Sequence, residues 1–183
     1  MAGESKPVLD LMTQTGCNYL DLKFVDMPGT WQHVSVPRIE VNDDLFIRGT
    51  GFDGSSIRGF QAIHESDMLL VPIASTARKD PFMANTVTVI ADVRDPLTSK
   101  DYPRDPRYIA RKAEAHLKAI GIGDVCYIGP ELEFFIFDSA RFDQTMNSAY
   151  YYIDSEEGSG RSGAAQALQG GPNLANKIRA KEG

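Results

Sequence analysis

Two stretches of this chain hold residue types whose spacing could do chemistry. The first is Glu131-Leu132-Glu133-Phe134-Phe135-Ile136-Phe137. On an extended strand, residues two apart project to the same side. Glu131 and Glu133 would then share one face, their Cβ atoms roughly 7 Å apart, with Phe134 and Ile136 anchoring the other. Two carboxylates beside aromatic bulk repel each other and resist dehydration, so something positive should compensate. Hard oxygen donors select Mg2+ or Mn2+. Two such ions about 3.5–4 Å apart, one per carboxylate, would suit phosphoryl transfer. A polar strand face open to water accounts for the same two residues, and the residues alone do not choose between these readings.

The second stretch is Gly51-Phe52-Asp53-Gly54-Ser55-Ser56-Ile57-Arg58-Gly59-Phe60. Its glycines free the backbone, while Asp53 and the two serines supply acceptors and donors. Such a loop can hold a polar ligand or reach another subunit. Taken alone, it also fits an ordinary surface turn.

The elements that must position these residues follow from pattern. Ser5 and Pro7 mark a helix start, Val8, Leu9, Leu11 and Met12 form its apolar stripe, and Gly16 ends it. Residues 19–26 alternate, with Leu20, Leu22 and Phe24 on one side and Asp21 and Lys23 on the other. The turn at Asp26-Met27-Pro28-Gly29 returns the chain into residues 31–36, which predicts a β-hairpin. A short helical turn is expected at 42–48, a loop at 49–59, and strands at 68–73 and 86–93. The first part is therefore an α+β unit of roughly 100 residues, one helix on about four strands. A connector rich in proline and aspartate, residues 95–106, marks a domain boundary, giving domains 1–103 and 104–183.

In the second domain, Asp105-Pro106 starts a helix whose buried face would be Ile109, Ala113, Leu117 and Ile120. Residues 125–138 read as a strand or a broken pair of strands, and 149–154 as another. Residues 158–171 are Gly, Ser, Ala and Gln with almost no large apolar side chain, which predicts a mobile or functional loop. One helix and two or three strands are too little to close a core, so the second domain is expected to be incomplete as it stands.

Composition excludes several classes. The chain has 183 residues, 42% hydrophobic and 24% charged, which is globular rather than disordered. Its charge is −6, and Arg104, Arg107, Arg111 and Lys112 alternate with acidic residues. They read as a solvated helix face, so no nucleic-acid partner is expected. Cys17 and Cys126 make no zinc spacing and suit free thiols in a reducing compartment. No signal core or membrane-length apolar run is present, so a cytoplasmic protein with no membrane partner is expected.

Some motifs are decoys. Gly49-Thr50-Gly51-Phe52-Asp53-Gly54 and Gly158-Ser159-Gly160-Arg161-Ser162-Gly163 both fit G-x-G-x-x-G. Neither follows a buried parallel strand and opens a long helix, as a dinucleotide site requires. There is no P-loop, and His64-Glu65 lacks the second histidine of a zincin. His33 in the hairpin and His116 in the helix read as structural.

Five ordered motifs together are more specific than any one of them. Gly51-Phe52-Asp53-Gly54-Ser55-Ser56, Glu65-Ser66-Asp67-Met68, Asp80-Pro81-Phe82, Arg104-Asp105-Pro106-Arg107 and Gly129-Pro130-Glu131-Leu132-Glu133-Phe134-Phe135 resemble those of type I glutamine synthetases, bacterial glutamate–ammonia ligases. The resemblance runs from about Tyr19 to the last residues and covers the N-terminal portion of that family.

The resemblance implies an N-terminal β-grasp domain followed by the beginning of a catalytic α/β domain. Asp53 would be catalytic, helping to bind ammonium and to take its proton, on a loop reaching the neighbouring subunit's active site. Ser56 would support that loop, and Phe60 would stand where the family carries an aromatic residue lining the site. Glu131 and Glu133 would each bind one of two Mg2+ or Mn2+ ions. The reaction would pass through γ-glutamyl phosphate, from ATP, L-glutamate and ammonia to glutamine, in a homo-oligomer of two hexameric rings.

Two departures stand out. The family's Trp-Asn pair, expected shortly after Glu156-Glu157-Gly158, is missing from Ser159 to Gly163. The family's later Glu and His ligands, its glutamate- and ATP-binding residues and its regulatory tyrosine would all lie beyond Gly183, so no ATP-binding residue is assigned. Two carboxylates are too few ligands for two metals, so residues 1–183 alone are expected to be inactive. The competing readings are a γ-glutamylpolyamine synthetase relative and a non-catalytic β-grasp interaction module. The Asp53 loop, specific to ammonium, argues against the former.

Overall fold

Alternating apolar residues organise the first part of the chain. Leu20, Leu22 and Phe24 turn inward from β1 (Tyr19–Val25), and β2 (Trp31–Pro37) returns antiparallel to it. A computed structural model describes residues 3–154 of the chain. They divide into two compact units, the first ending at Tyr127 and the second beginning at Ile128.

Before β1, α1 (Lys6–Thr15) buries Val8 and Met12, and Gly16 closes it at φ 69°. Only a residue without Cβ takes that conformation cheaply. Ser5 does not cap the helix with its side chain as expected. Its amide and hydroxyl donate instead to Asp43 Oδ1, at 2.9 and 2.6 Å. The predicted helical turn is α2 (Asp43–Arg48), capped by Asn42, whose side chain accepts from Leu45 N at 3.1 Å.

The expected loop at 49–59 is half strand. β3 (Thr50–Asp53) runs antiparallel to β4 (Asp67–Pro72), with Thr50 opposite Leu70 and Asp53 opposite Asp67. Gly51 and the glycines on either side hid this strand, whose Phe52 ring lies 5.0 Å from that of Phe24. After β4 comes the two-residue β5 (Arg78–Lys79), and then β6 (Thr86–Arg94).

β6 is the axis of the sheet. Its first half lies parallel to β1 and beside β5, and its second half runs antiparallel to β4. The order is β2-β1-β6-β4-β3, with β5 paired to β6. Beneath it, Val87, Val89, Ala91 and Val93 join the inward residues of β1, Met68 and Leu70 of β4, and α1 in one core. Each fully buried side chain of this kind contributes about 1.5–3 kcal/mol relative to exposure.

α3 (Pro106–Ala119) corrects an expectation. None of its residues is buried among the described residues, and Ile109 and Ile120 are 47% and 50% exposed. Its attachment is polar. Arg107 Nε donates to Asp92 Oδ1 at 2.9 Å, and Arg111 Nη1 donates to Asp92 Oδ2 at 2.5 Å. Arg107 and Arg111 therefore tie the helix to buried Asp92 on β6 rather than forming a solvated face. The compact unit accordingly runs past the connector to residue 127.

In the second unit, β7 (Ser139–Gln144) and β8 (Ala149–Asp154) pair antiparallel, Ser139 opposite Asp154 and Gln144 opposite Ala149. The predicted strand at 149–154 is β8. The predicted strand at 125–138 is not formed within the described residues. Its composition is that of a strand, but a strand also needs a neighbour to take its amides and carbonyls. The 158–171 segment, the second glycine motif and the Trp-Asn position lie outside the described residues.

Candidate functional site

Asp53 ends β3, and the chain turns at once through a single 3-10 turn, Gly54–Ser56. An aspartate there accepts from amides two or three residues on, which is what its short side chain favours. Asp53 Oδ1 accepts from Ser55 N at 2.8 Å and from Ser55 Oγ at 2.6 Å. Its Oδ2 accepts from Ser56 Oγ at 2.8 Å. These bonds, the Ser55 hydroxyl foremost and then that of Ser56, hold the carboxyl below the ordinary carboxylate range. Asp53 is exposed, so the site presents a fixed, ionised carboxylate to its surroundings.

The turn is built into the unit from below. Gly54 is buried, its amide donates to Ser66 O at 2.7 Å, and a Cβ there would stand 2.3 Å from Met68 Sδ. That close approach requires glycine. Gly54 O accepts from Ile57 N and Gln61 N, at 3.2 and 3.4 Å, closing the loop on itself.

Phe60 is placed differently from the expectation that it lines a site. It is 2% exposed, with its ring in the core 6.2 Å from Phe24 and 5.2 Å from Tyr102. Within this unit it anchors the loop. Ser55, which sequence reasoning counted only as one of two serines, makes two of the three bonds to Asp53. The Asp-x-Ser spacing was the available signal, since it is the spacing of an aspartate capping a turn.

Glu131 and Glu133 lie in the second unit. Both are exposed, on an extended segment without a strand partner among the described residues. Phe135 and Phe137 stack with centroids 6.2 Å apart and planes 5° from parallel, so residues two apart do share a side here. The other side is more open, with Phe134 and Ile136 77% and 72% exposed. The donor set suits a hard divalent cation in kind. It falls short in number, since no group of three or more His, Cys, Asp or Glu that could hold a metal exists among the described residues. The two constellations fall in different units.

Two histidines read as structural from the sequence. His33 Nδ1 lies 2.8 Å from Asp21 Oδ1 across the hairpin, and His116 is exposed on α3. Both cysteines are free thiols, Cys17 buried and Cys126 exposed. No helix among the described residues is long and apolar enough to cross a membrane.

Comparison with known proteins decides the family. The sequence model of the glutamine synthetase β-Grasp domain matches residues 16–96, and that of the glutamine synthetase catalytic domain matches 103–180. The chain belongs to the glutamine synthetase family. A glutamine synthetase of Microchaete diplosiphon is 50% identical over 96% of this chain and 37% of its own length. One from Aquifex aeolicus is 53% identical over 82% of this chain and 32% of its own. The chain thus spans about a third of the length of these curated relatives.

Among solved structures, the cryo-EM structure of Plasmodium falciparum glutamine synthetase superposes with a TM-score of 0.62 at 20% identity. The match covers 84% of this chain and 30% of that one, and it speaks for the fold. In this family's terms, β1 to β6 with α2 fall in the β-grasp domain, and residues from 103 onward begin the catalytic domain.

Proposed function

We propose that this chain forms the N-terminal part of a glutamate–ammonia ligase, with Asp53 binding the ammonium ion. The observation that carries the reading is the exposed Asp53 carboxylate, fixed by the Ser55 and Ser56 hydroxyls and held ionised. A carboxylate of lowered pKa attracts a small cation well and removes its proton poorly. The binding half of Asp53's role is thus favoured in this arrangement. Proton removal requires the carboxylate to become more basic, which dehydration by a covering neighbouring subunit would bring about.

Ser55 joins Ser56 as a support of the loop, and Phe60 is its anchor. Glu131 and Glu133 would each hold one of two Mg2+ or Mn2+ ions, with further donors from elsewhere in the complete subunit. Bound there, the metals would neutralise phosphate charge developing between ATP and the side-chain carboxylate of glutamate. The full site belongs to a cytoplasmic homo-oligomer, two stacked hexameric rings with each Asp53 loop serving a neighbouring subunit. A domain seam at 103–104 is supported by the two matches, which end at 96 and begin at 103, although the first compact unit extends further.

The test is Asp53→Ala in the complete subunit. Ammonium at half-maximal rate should rise by at least tenfold, with Mn2+ affinity unchanged. A large loss of Mn2+ affinity with normal ammonium dependence would overturn the assignment.

A further inference from the structure

The Arg104-Asp105-Pro106-Arg107 motif has no part in the reading above, yet the structure wires it to the Asp53 loop. We infer that Tyr102 and Arg104 are positioning residues, which fix the Asp53 loop by saturating the backbone carbonyl of Phe60.

Phe60 O accepts from Tyr102 Oη at 2.7 Å and from Arg104 Nη1 at 2.8 Å. A carbonyl oxygen has two lone pairs, so both are taken. The same Arg104 nitrogen lies 3.3 Å from Gly59 O. One bond is charge-assisted, and the other comes from a hydroxyl on a residue 6% exposed, where a lost partner is not readily replaced by water.

The clamp is itself held. Tyr102 N donates to Val93 O at 2.9 Å, and Asp105 N donates to Tyr102 O at 3.1 Å. Asp105 accepts from Val93 N and Arg107 N, and Arg107 reaches Asp92. Read in order, the segment grips the loop, then β6, then starts α3 and grips β6 again. On the loop side, Gly59 has φ 84°, and a Cβ there would stand 2.8 Å from Met27 Cβ and Cγ. The loop is therefore confined between the hairpin tip and the clamp. Its other end closes on Gly54 O, one residue from Asp53. Releasing Phe60 would loosen the turn that orients the Asp53 carboxylate. The consequence for ammonium rests on the reading of Asp53 given above.

The variants are Tyr102→Phe, which keeps the ring, and Arg104→Ala, with Arg104→Lys as the conservative control, all in the complete subunit. Two quantities are measured: amide hydrogen exchange in peptides covering 54–66, and the rate as a function of each substrate. Exchange in the loop should accelerate about tenfold, with β1 and β6 unchanged. Ammonium at half-maximal rate should rise several-fold, since only the competent fraction of loop conformations binds. Glutamate and ATP dependence should stay put, and Arg104→Lys should restore most of the loss.

Unchanged loop exchange, or equal acceleration throughout β1 and β6, would overturn the clamp. A loosened loop with normal ammonium dependence, where Asp53→Ala does impair it, would overturn the positioning role. If Asp53→Ala also leaves ammonium dependence intact, the reading of Asp53 fails, and exchange alone decides the clamp.

Discussion

The Asp53 loop and the Glu131–Glu133 segment both present carboxylates to solvent, but they are held in opposite ways. Around Asp53, every bond to the carboxylate comes from within three residues, and the loop's far end is a phenylalanine sunk in a finished core. Around Glu131 and Glu133, the flanking Leu132, Phe134 and Ile136 are 72–85% exposed, and no strand pairs with them among the described residues. A turn written in near neighbours forms wherever its scaffold folds. A strand needs distant partners for its backbone and both of its faces. The two halves of the proposed chemistry therefore differ in how far each is assembled by residues 3–154.

The largest effect that could break this contrast comes from truncating one aromatic residue in each region. Phe60→Ala removes a ring packed on Phe24 and Tyr102, and should cost the first unit about 3–5 kcal/mol. Phe134→Ala, at a side chain 77% exposed, should stay within about 0.5 kcal/mol. Chemical denaturation of the 183-residue chain, followed by amide hydrogen exchange in peptides from each unit, measures both. Equal costs would mean that the 131–137 segment is packed in solution, and the contrast would fall.

How much of this was legible beforehand follows the same division. The hairpin and α1 were readable from apolar residues recurring at a regular period, and β4 and β6 from runs of apolar and β-branched residues. The Asp53 turn was readable as a capping pattern. β3 was missed because glycine carries no side-chain signal and an edge strand is made by its partner β4. The attachment of α3 was misread because its apolar spacing suggested burial, whereas Arg107 and Arg111 hold it through Asp92. The strand expected at 125–138 had the right composition, but composition cannot name the neighbour that would complete it. Within the site, Ser55 was visible only through its spacing from Asp53, and the Phe60 anchor only as geometry.

A smaller effect tests whether the first unit is as internally satisfied as the contrast requires. Asp105 is fully buried and accepts from Val93 N and Arg107 N. Burial raises its pKa, with nearby Asp92 adding to the rise. A raised carboxyl pKa means that the folded state binds the proton more tightly. This contribution is therefore fully present below the ordinary carboxylate range and is lost as pH rises through the raised value. Asp80 runs the other way. The Lys23 ammonium bond lowers its pKa, so its contribution is lost as pH falls. Asp105→Ala should cost about 1–3 kcal/mol by orphaning two amides. Asp105→Asn should cost less and should remove the decline in stability with rising pH. Melting curves from pH 4 upward, compared with the parent chain, isolate this group. An unchanged slope in Asp105→Asn would show that the carboxyl titrates as it does when unfolded.

The smallest effect bears directly on the Asp53 carboxylate. Its pKa is lowered first by the Ser55 hydroxyl, then by that of Ser56. Its bonds contribute stability that is present above the ordinary carboxylate range and is lost as pH falls through the lowered value. Ser55→Ala deletes the leading hydroxyl but keeps the Ser55 amide bond, so the titration should move up towards the ordinary 3.8 without reaching it. Adding Ser56→Ala should move it further. Carboxyl carbon shifts followed by NMR read this at one atom, and a surface turn of this kind should change global stability little. A titration that does not move in either variant would mean that solvent, not the serines, sets the charge on Asp53. The difference between the two regions would then reduce to the core beneath them.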